Sequence, residues 1–463
     1  MAAGEGTRMR SSLPKVMHWI CGRAMVAWPV LAAREAGADR VALIVSPKRT
    51  YLGDQAEGAE VETIVQEEAN GTGGAMRAAL DVIRESETVI VPSGDVPLIT
   101  AETIAGMLAT HRENEAQATV LTFEMDDPAG YGRIVRDESG DIAEIVETKH
   151  TKGVVAEVLA LKEINSGSYI FEAEPFAAAI EAIGNDNAAG EYYLGDVMPL
   201  LREAGHRIVA HVSEDANVNL GVNTRADLAV ATAEAQKLIL RRHMLAGVMI
   251  IDPSSTWIEA DVEIAQDVTL EPGTYLRGLT RIGAGTTMGP HTTVEDSIIG
   301  RCSSVVRSHL DAARVGDGCN VGPFSYLRPG ARLGDGAKVG AFVEVKNSEI
   351  GEGAKVPHLS YVGDADIGAG ANLGAGTITA NYDGFTKNRT TVGPGARVSV
   401  NTSLVAPVDV GEGAYTGAGA VIREDVPPGA LGVSKAEQRN IEGYAERKAA
   451  AAKKNSPEEA DDS

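Results

Sequence analysis

The sequence is short of aromatic residues, cysteines and long apolar runs, and each shortage narrows what the chain can be. Aromatics make up 4% of the residues while 44% are hydrophobic, so any core is aliphatic. The three cysteines, Cys21, Cys302 and Cys319, are odd in number and lack Cys-x-x-Cys or Cys/His metal spacing. A reducing, cytoplasmic setting follows, with Cys302 and Cys319 read as small buried side chains. No stretch approaches the roughly 20 apolar residues that span a bilayer, so no membrane insertion is expected, and no signal peptide precedes the first motif. Positive charge is scarce too: 42 Lys and Arg against 65 Asp and Glu give a formal net charge of −23. That balance disfavours nucleic acid and anionic membranes as partners, although a local basic cluster can still hold a phosphate. At 463 residues the chain is too long for one core, and two or three domains are expected.

Glycine, by contrast, is plentiful, and part of it keeps time. Across 258–426 apolar residues recur every six positions: Ile258, Ile264, Leu270, Leu276, Ile282, Met288 and Val294, with Val262 slightly early. The beat returns at Val315, Val321, Leu327, Leu333, Val339 and Val345, and again at Val392, Val398, Leu404 and Val410. Gly commonly follows the apolar residue and a small residue sits four after it, as in Ile282-Gly283-Ala284-Gly285-Thr286. A period of six matches neither helix nor strand alone. It matches a short strand plus a glycine-eased turn, repeated as one side of a parallel β-helix.

Residues 1–223 read differently. Val41–Val45, Thr88–Val91 and Ala118–Thr122 are short strand-like runs, with helical stretches near 72–84 and 101–113. This alternation predicts an α/β domain with a mainly parallel sheet. Residues 224–247 read as a linker helix, rich in Ala, Leu, Glu, Gln, Lys and Arg. Thr224 and Asp227 have capping-box spacing, with Asp in place of the usual Glu. The repeat domain occupies 248–444, and the charged tail 445–463 is expected to be disordered.

Phosphate chemistry concentrates near the start. Ala2-Ala3-Gly4-Glu5-Gly6-Thr7-Arg8-Met9 precedes Leu13-Pro14-Lys15. Two glycines let backbone N–H groups approach a phosphate, and Arg8 and Lys15 add charge. The Gly-Lys-Ser/Thr ending of a Walker A loop is absent. Gln66, before Asn70-Gly71-Thr72-Gly73, suits the reading of a base edge. Asp95 follows the strand 88–91, where ligands collect in open α/β sheets. Asn223 offers a second oxygen, and Mg2+ needs few protein oxygens when phosphates and water complete its shell.

Ala-Ala-Gly-x-Gly-Thr-Arg-Met with Leu-Pro-Lys resembles the sugar-nucleotide pyrophosphorylases. Joined to a hexapeptide solenoid, residues 2 to about 444 resemble the bifunctional N-acetylglucosamine-1-phosphate uridyltransferase/glucosamine-1-phosphate acetyltransferase family. The resemblance implies a Rossmann-like nucleotidyltransferase domain and a left-handed β-helix packed as a homotrimer. It implies that Gly4, Gly6, Arg8, Lys15, Gln66, Gly71 and Thr72 hold UTP and that Asp95 and Asn223 hold Mg2+. Gly132, Glu147 and Asn165 would hold the amino sugar while N-acetylglucosamine 1-phosphate attacks UTP and pyrophosphate leaves. On the solenoid it implies acetyl transfer from acetyl-CoA to glucosamine 1-phosphate, with His358 as base. Arg328, Lys346, Tyr361 and Asn372 would bind the sugar phosphate. Ala375, Asn381, Tyr382, Val400, Ala418 and Lys435 would line the acetyl-CoA pocket, with Asn381, Tyr382 and Lys387 acting across a subunit boundary. The product, UDP-N-acetylglucosamine, would feed peptidoglycan and cell-wall precursor synthesis.

Spacing alone adds to this. At 18 residues per coil, Arg328 and Lys346 stack roughly 4.8 Å apart, an unfavourable pairing unless an anion joins them. Tyr361 leads into the same side one coil later. His358, two after Val356, faces outward and suits a base near neutral pH. The metre stops after Leu373 and resumes at Val392, so Ile378–Lys387 is read as an ejected loop, and such loops mark a functional face.

The chain also departs from the family. Met1 stands where a Leu ends a buried strand, so that first strand is missing and a start upstream of Met1 is expected. Ser93 stands where many relatives have Tyr, Val400 replaces Ser, and Lys435 replaces Arg. The alternatives are a single-activity acetyltransferase with an impaired uridyltransferase domain, and a non-catalytic scaffold, which the intact His358 and Asn381 disfavour.

Overall fold

The computed structural model describes residues 1–2, 4, 6–52, 61–128, 130–138, 140–146, 148, 154–187, 190–213, 221–434 and 438–455. The chain divides into two compact units, Met1–Arg281 and Ile282–Ser463.

In the first unit the expected strands and helices form. Strands β1 (Ala42–Val45) and β2 (Glu62–Val65) pair in parallel. Helices α1 (Thr72–Ala78) and α2 (Leu80–Arg84) replace the single helix expected near 72–84, broken at Ala79. Strand β3 (Thr88–Val91), helix α3 (Ala101–Glu113) and strand β4 (Ala118–Glu124) follow. Strands β5 (Arg133–Arg136), β6 (Ile142–Val146), β7 (Glu163–Glu172) and β8 (Ile208–Val212) complete the sheet. β8 runs parallel to β4, but β7 runs antiparallel to β3, β4 and β5. The mainly parallel expectation is therefore corrected to a mixed sheet. β7 enters beside the end at which β4 leaves, Glu163 pairing with Glu124, and therefore runs back along it. Phe171 and Phe176 stack with ring centroids 4.0 Å apart in the core against this sheet.

Helix α4 (Arg225–Leu245) is the expected linker helix. Thr224 Oγ1 accepts from the Asp227 N–H at 3.2 Å, and Asp227 Oδ2 accepts from the Thr224 N–H at 2.8 Å. The capping box thus closes with Asp, whose shorter side chain still reaches the cap. Along one face α4 buries Ala231, Ala235, Gln236, Ile239, Leu240 and His243. Gln236 uses both ends of its amide on one strand, donating to Ile258 O at 2.6 Å and accepting from Ile258 N–H at 3.2 Å. Such ties explain why the compact unit extends to Arg281 and takes in the first coils.

The second unit is a ladder of short parallel strands. The metrical residues point inward: Leu327, Val339, Val345 and Leu404 are fully buried. Small residues after them serve the turns. Ser303 Oγ donates to Gly316 O at 2.9 Å and accepts from the Cys319 N–H at 3.0 Å, satisfying buried backbone between coils. The step between coils is not uniformly 18: Thr293 pairs with His309, Glu344 with Tyr361, and Leu327 with Val345. The ejected loop starts later than expected, because Ile378–Ala380 still pairs with Ser403–Val405. The beat is hidden there by Thr379, whose buried hydroxyl donates to Gly363 O at 2.9 Å. Two further expectations change. Cys302 is exposed, on a turn with φ 53°, while Cys319 is buried. The start of the tail forms helix α5 (Tyr444–Asn455), as its Ala/Lys-rich composition favours; the remainder, 456–463, lies outside the described residues.

His243 sets a pH dependence. It is 5% exposed, and burial, then the adjacent Arg242 charge, pushes its imidazole down to about 4. The unfolded chain takes up that proton first as the pH falls, so stability is lost from about pH 6.5 towards about pH 4. His243→Gln should remove about 2 to 3 kcal/mol of this acid loss, seen in thermal melts of the full chain at pH 7 and 4.5. Parallel declines for wild type and variant would refute the assignment.

Candidate active sites

In the first unit the glycine-rich opening closes around Lys15. Gly6 has φ 64°, and a Cβ on it would lie 2.5 Å from the Lys15 Cβ, so only glycine fits. Lys15 Nζ donates to Asp95 Oδ2 at 2.7 Å and to Asn223 Oδ1 at 3.2 Å. Arg8 Nη2 donates to the same Asn223 oxygen at 2.8 Å. The four residues expected to serve phosphate and metal therefore meet. Ser93 Oγ donates to Asp95 Oδ1 at 2.6 Å. Burial opposes charging Asp95, but the Lys15 charge and the Lys15 and Ser93 hydrogen bonds outweigh it and hold the carboxyl below its ordinary range. Two oxygens converge on one ammonium, and that arrangement also fits a small hard cation whose shell phosphates complete. Among the described residues no group of three or more His, Cys, Asp or Glu could hold a metal ion.

Supporting residues surround the cluster. Asp227 Oδ2 accepts from the Asn223 N–H at 2.9 Å, so the α4 cap also fixes Asn223. Arg49 Nη1 donates to Gly4 O at 2.7 Å. Gln66 Nε2 donates to Asn70 Oδ1 at 3.0 Å and Gly71 O at 3.1 Å, and Thr72 Oγ1 accepts from the Leu194 N–H at 2.9 Å, gathering these residues where α1 begins. Gly132 O accepts from the Asn165 N–H at 2.9 Å. Buried Arg133 donates from Nη1 to Pro128 O at 2.6 Å and Tyr131 O at 2.5 Å, and Thr148 Oγ1 donates to Tyr131 O at 2.6 Å. Arg133 and Thr148 thus pin the loop that carries Gly132. Sequence reasoning missed Arg49 and Arg133 because an isolated arginine reads as surface charge. Ala3, Glu5, Glu147 and Lys435 lie outside the described residues.

In the second unit Arg328 and Lys346 do occupy successive coils: Leu327 pairs with Val345, and the Arg328 N–H donates to Val345 O at 2.8 Å. Each cation has its own carboxylate, Arg328 with Glu344 at 2.8 Å and Lys346 with Asp364 at 3.7 Å. The expectation that a bound anion must relieve their repulsion is corrected, since protein carboxylates already offset both charges. Tyr361 pairs with Glu344 on the same side.

His358 is exposed at the end of strand Lys355–His358. Its carbonyl accepts from Gly376 N–H at 3.4 Å, Ala375 O accepts from Asn401 N–H at 2.7 Å, and Val400 O accepts from Gly419 N–H at 2.9 Å. His358, Ala375, Val400 and Ala418 therefore step along one corner of successive coils. Asn372 does not join Arg328, Lys346 and Tyr361. It pairs with Lys355 and Arg397 in a different sheet. Asn381 opens the loop, and Tyr382 bridges to Lys387 across it.

A nucleotidyl transferase followed by a hexapeptide-repeat transferase is the class that this fold and these two sites define. The nucleotidyl transferase family model matches residues 1–257, and the six-repeat bacterial transferase hexapeptide model matches residues 312–347. The "Bifunctional protein GlmU" of Corynebacterium efficiens is 44% identical over 455 residues, covering 97% of this chain and 93% of its own length. That of Kineococcus radiotolerans is 47% identical over 448 residues, covering 96% and 90%. The chain belongs to the GlmU family of bifunctional transferases.

The loop is anchored from within. Asp383 accepts from the Thr386 N–H at 2.7 Å, the Phe385 N–H at 2.8 Å and Thr386 Oγ1 at 2.8 Å, and these bonds hold its carboxyl well below the ordinary range. Asp383→Ala should speed limited proteolysis within 381–389 while leaving cutting elsewhere unchanged. Equal cleavage rates in variant and wild type would show that Asp383 does not anchor the loop.

Proposed function

We propose that the chain makes UDP-N-acetylglucosamine in two steps, for peptidoglycan and cell-wall precursors, in the cytoplasm. Residues 248–444 transfer acetyl from acetyl-CoA to glucosamine 1-phosphate. Residues 1–223, joined by the helix 224–247, transfer uridylyl from UTP to the product. The observation that carries the reading is an exposed imidazole, His358, on the corner shared with Ala375, Val400 and Ala418, in a chain that also gathers Arg8, Lys15, Asp95 and Asn223.

In the first step the sugar amine attacks the thioester carbonyl, the N–C bond forms, the C–S bond breaks and the sulfur leaves as the thiol of CoA. His358 accepts the proton that the amine must lose, and a proton is returned to the departing sulfur. Arg328, Lys346 and Tyr361 hold the sugar phosphate, and Asn372, Asn381, Tyr382 and Lys435 complete the site. In the second step a phosphate oxygen of N-acetylglucosamine 1-phosphate attacks the α-phosphorus of UTP and pyrophosphate leaves. Arg8 and Lys15 offset the phosphate charge, Gly4, Gly6, Gln66, Gly71 and Thr72 hold the nucleotide, and Gly132, Glu147 and Asn165 hold the sugar. Mg2+ would be held by Asp95 and Asn223 and would supply further charge neutralisation.

The reading includes a homotrimer with shared acetyl-transfer sites. Two observations support it. Asn372 lies on a different sheet from Arg328, Lys346 and Tyr361, which suits a site to which a neighbouring copy contributes it. An apolar column, Phe324, Phe342 and Leu359, is 53%, 58% and 64% exposed beside Tyr326 and Tyr361, as a surface awaiting a partner would be.

Two assays test the function: CoA release from acetyl-CoA with glucosamine 1-phosphate, and pyrophosphate release from UTP with N-acetylglucosamine 1-phosphate. His358→Ala should lower CoA release alone by about 100-fold or more, and Asp95→Ala should lower pyrophosphate release alone. Crossed effects would overturn the assignment of activities, and no product in either assay would leave a scaffold.

A further inference from the structure

Beneath the loop base lies a carboxylate that neither step uses directly. Asp364 is 4% exposed, with a left-handed φ of 49°. Its backbone N–H donates to Lys346 O at 3.0 Å, and its carbonyl accepts from the Thr390 N–H at 3.1 Å, so it joins one coil to the strand that re-enters after the loop. Both carboxylate oxygens are engaged by side-chain amides. Oδ1 accepts from Asn347 Nδ2 at 2.6 Å, and Oδ2 accepts from Asn381 Nδ2. Lys346 Nζ approaches the same Oδ2 at 3.7 Å.

An ionised carboxylate can only accept, so an amide beside it must turn its NH2 inward and its oxygen away. Asn381 obeys. Its Nδ2 also lies 3.5 Å from the Tyr361 hydroxyl, while its Oδ1 has no donor among the described residues. We infer that Asp364 is a positioning residue for acetyl transfer: it fixes the flip of the Asn381 amide so that the amide oxygen accepts a hydrogen bond from the substrate amine. An amine aligned by an acceptor keeps its lone pair free for the thioester carbon while its remaining proton goes to the base. The inference rests on the acetyl-transfer reading of this site.

Donor and acceptor matching makes it testable. Asp364→Asn sets two amide NH2 groups against one amide and leaves one opposed. The value of kcat/KM for glucosamine 1-phosphate should fall on the order of 10- to 100-fold, the loss of one hydrogen bond to a charged group. The KM for acetyl-CoA and the melting temperature should stay near wild type. Asn347→Ala should have little effect, because Asn347 does not face the amine. Asp364→Asn with Asn381→Asp exchanges donor and acceptor across the pair and still leaves an oxygen facing outward. The Asn347, residue 381 and Tyr361 contacts are matched in this exchange, and the Lys346 approach to the carboxylate is lost equally in the single and double variants, so their comparison reports the amide flip even if Asp364→Asn alone does not fold. Recovery of most of the kcat/KM in the double variant is the expected result. A full rate for Asp364→Asn, or a double variant no better than the worse single, would overturn the inference. Wild type that releases no CoA would instead overturn the acetyl-transfer reading on which it rests.

Discussion

Backbone hydrogen bonds between successive coils are the constraint on which the solenoid depends. At a strand spacing of roughly 4.8 Å, each coil fixes the position of the next. One aliphatic side chain per short strand fills the interior, and hydroxyls such as Ser303 and Thr379 satisfy buried backbone groups at the turns. Any residue just outside the inward position therefore joins a column running along one corner or face. The His358–Ala375–Val400–Ala418 column is one product, and the exposed Phe324–Phe342–Leu359 column is another.

The first unit brings residues together by another route. The groups of its candidate site come from the glycine-rich opening before β1, from loops at the ends of β1, β2 and β3 and from the cap of α4. Lys15 links Asp95 to Asn223, which lie far apart in the chain. The same carboxylate that caps α4 holds the backbone of Asn223. A single Asp thereby starts a helix and positions an oxygen of the candidate metal site, which ties local helix energetics to chemistry.

Much of this was legible residue by residue. The six-residue beat identified inward positions that are buried as expected, and α3 and β3 begin and end where the residue pattern placed them. Misreadings have local causes. Thr379 hid a strand because a buried threonine breaks an aliphatic pattern. Cys302 looked buried because composition does not reveal which small residue takes the turn. Arg133 and Asp364 carried no motif, and their importance lies in being buried beside carbonyls and amides contributed from elsewhere in the chain.

Sequence by itself determined the period of the solenoid, the alternating α/β order before it, the capped helix between them and the residue types available for phosphate and acyl chemistry. These follow from local geometry and spacing, which a linear pattern encodes. Tertiary structure alone decided that β7 runs against its neighbours, that Arg328 and Lys346 each meet a carboxylate, that Asn372 lies on another face, and that Asp364 turns Asn381. Those outcomes depend on the exact number of residues per coil and on contacts between distant segments. A shift of one residue in register exchanges which side chains meet, and only the folded chain fixes that count.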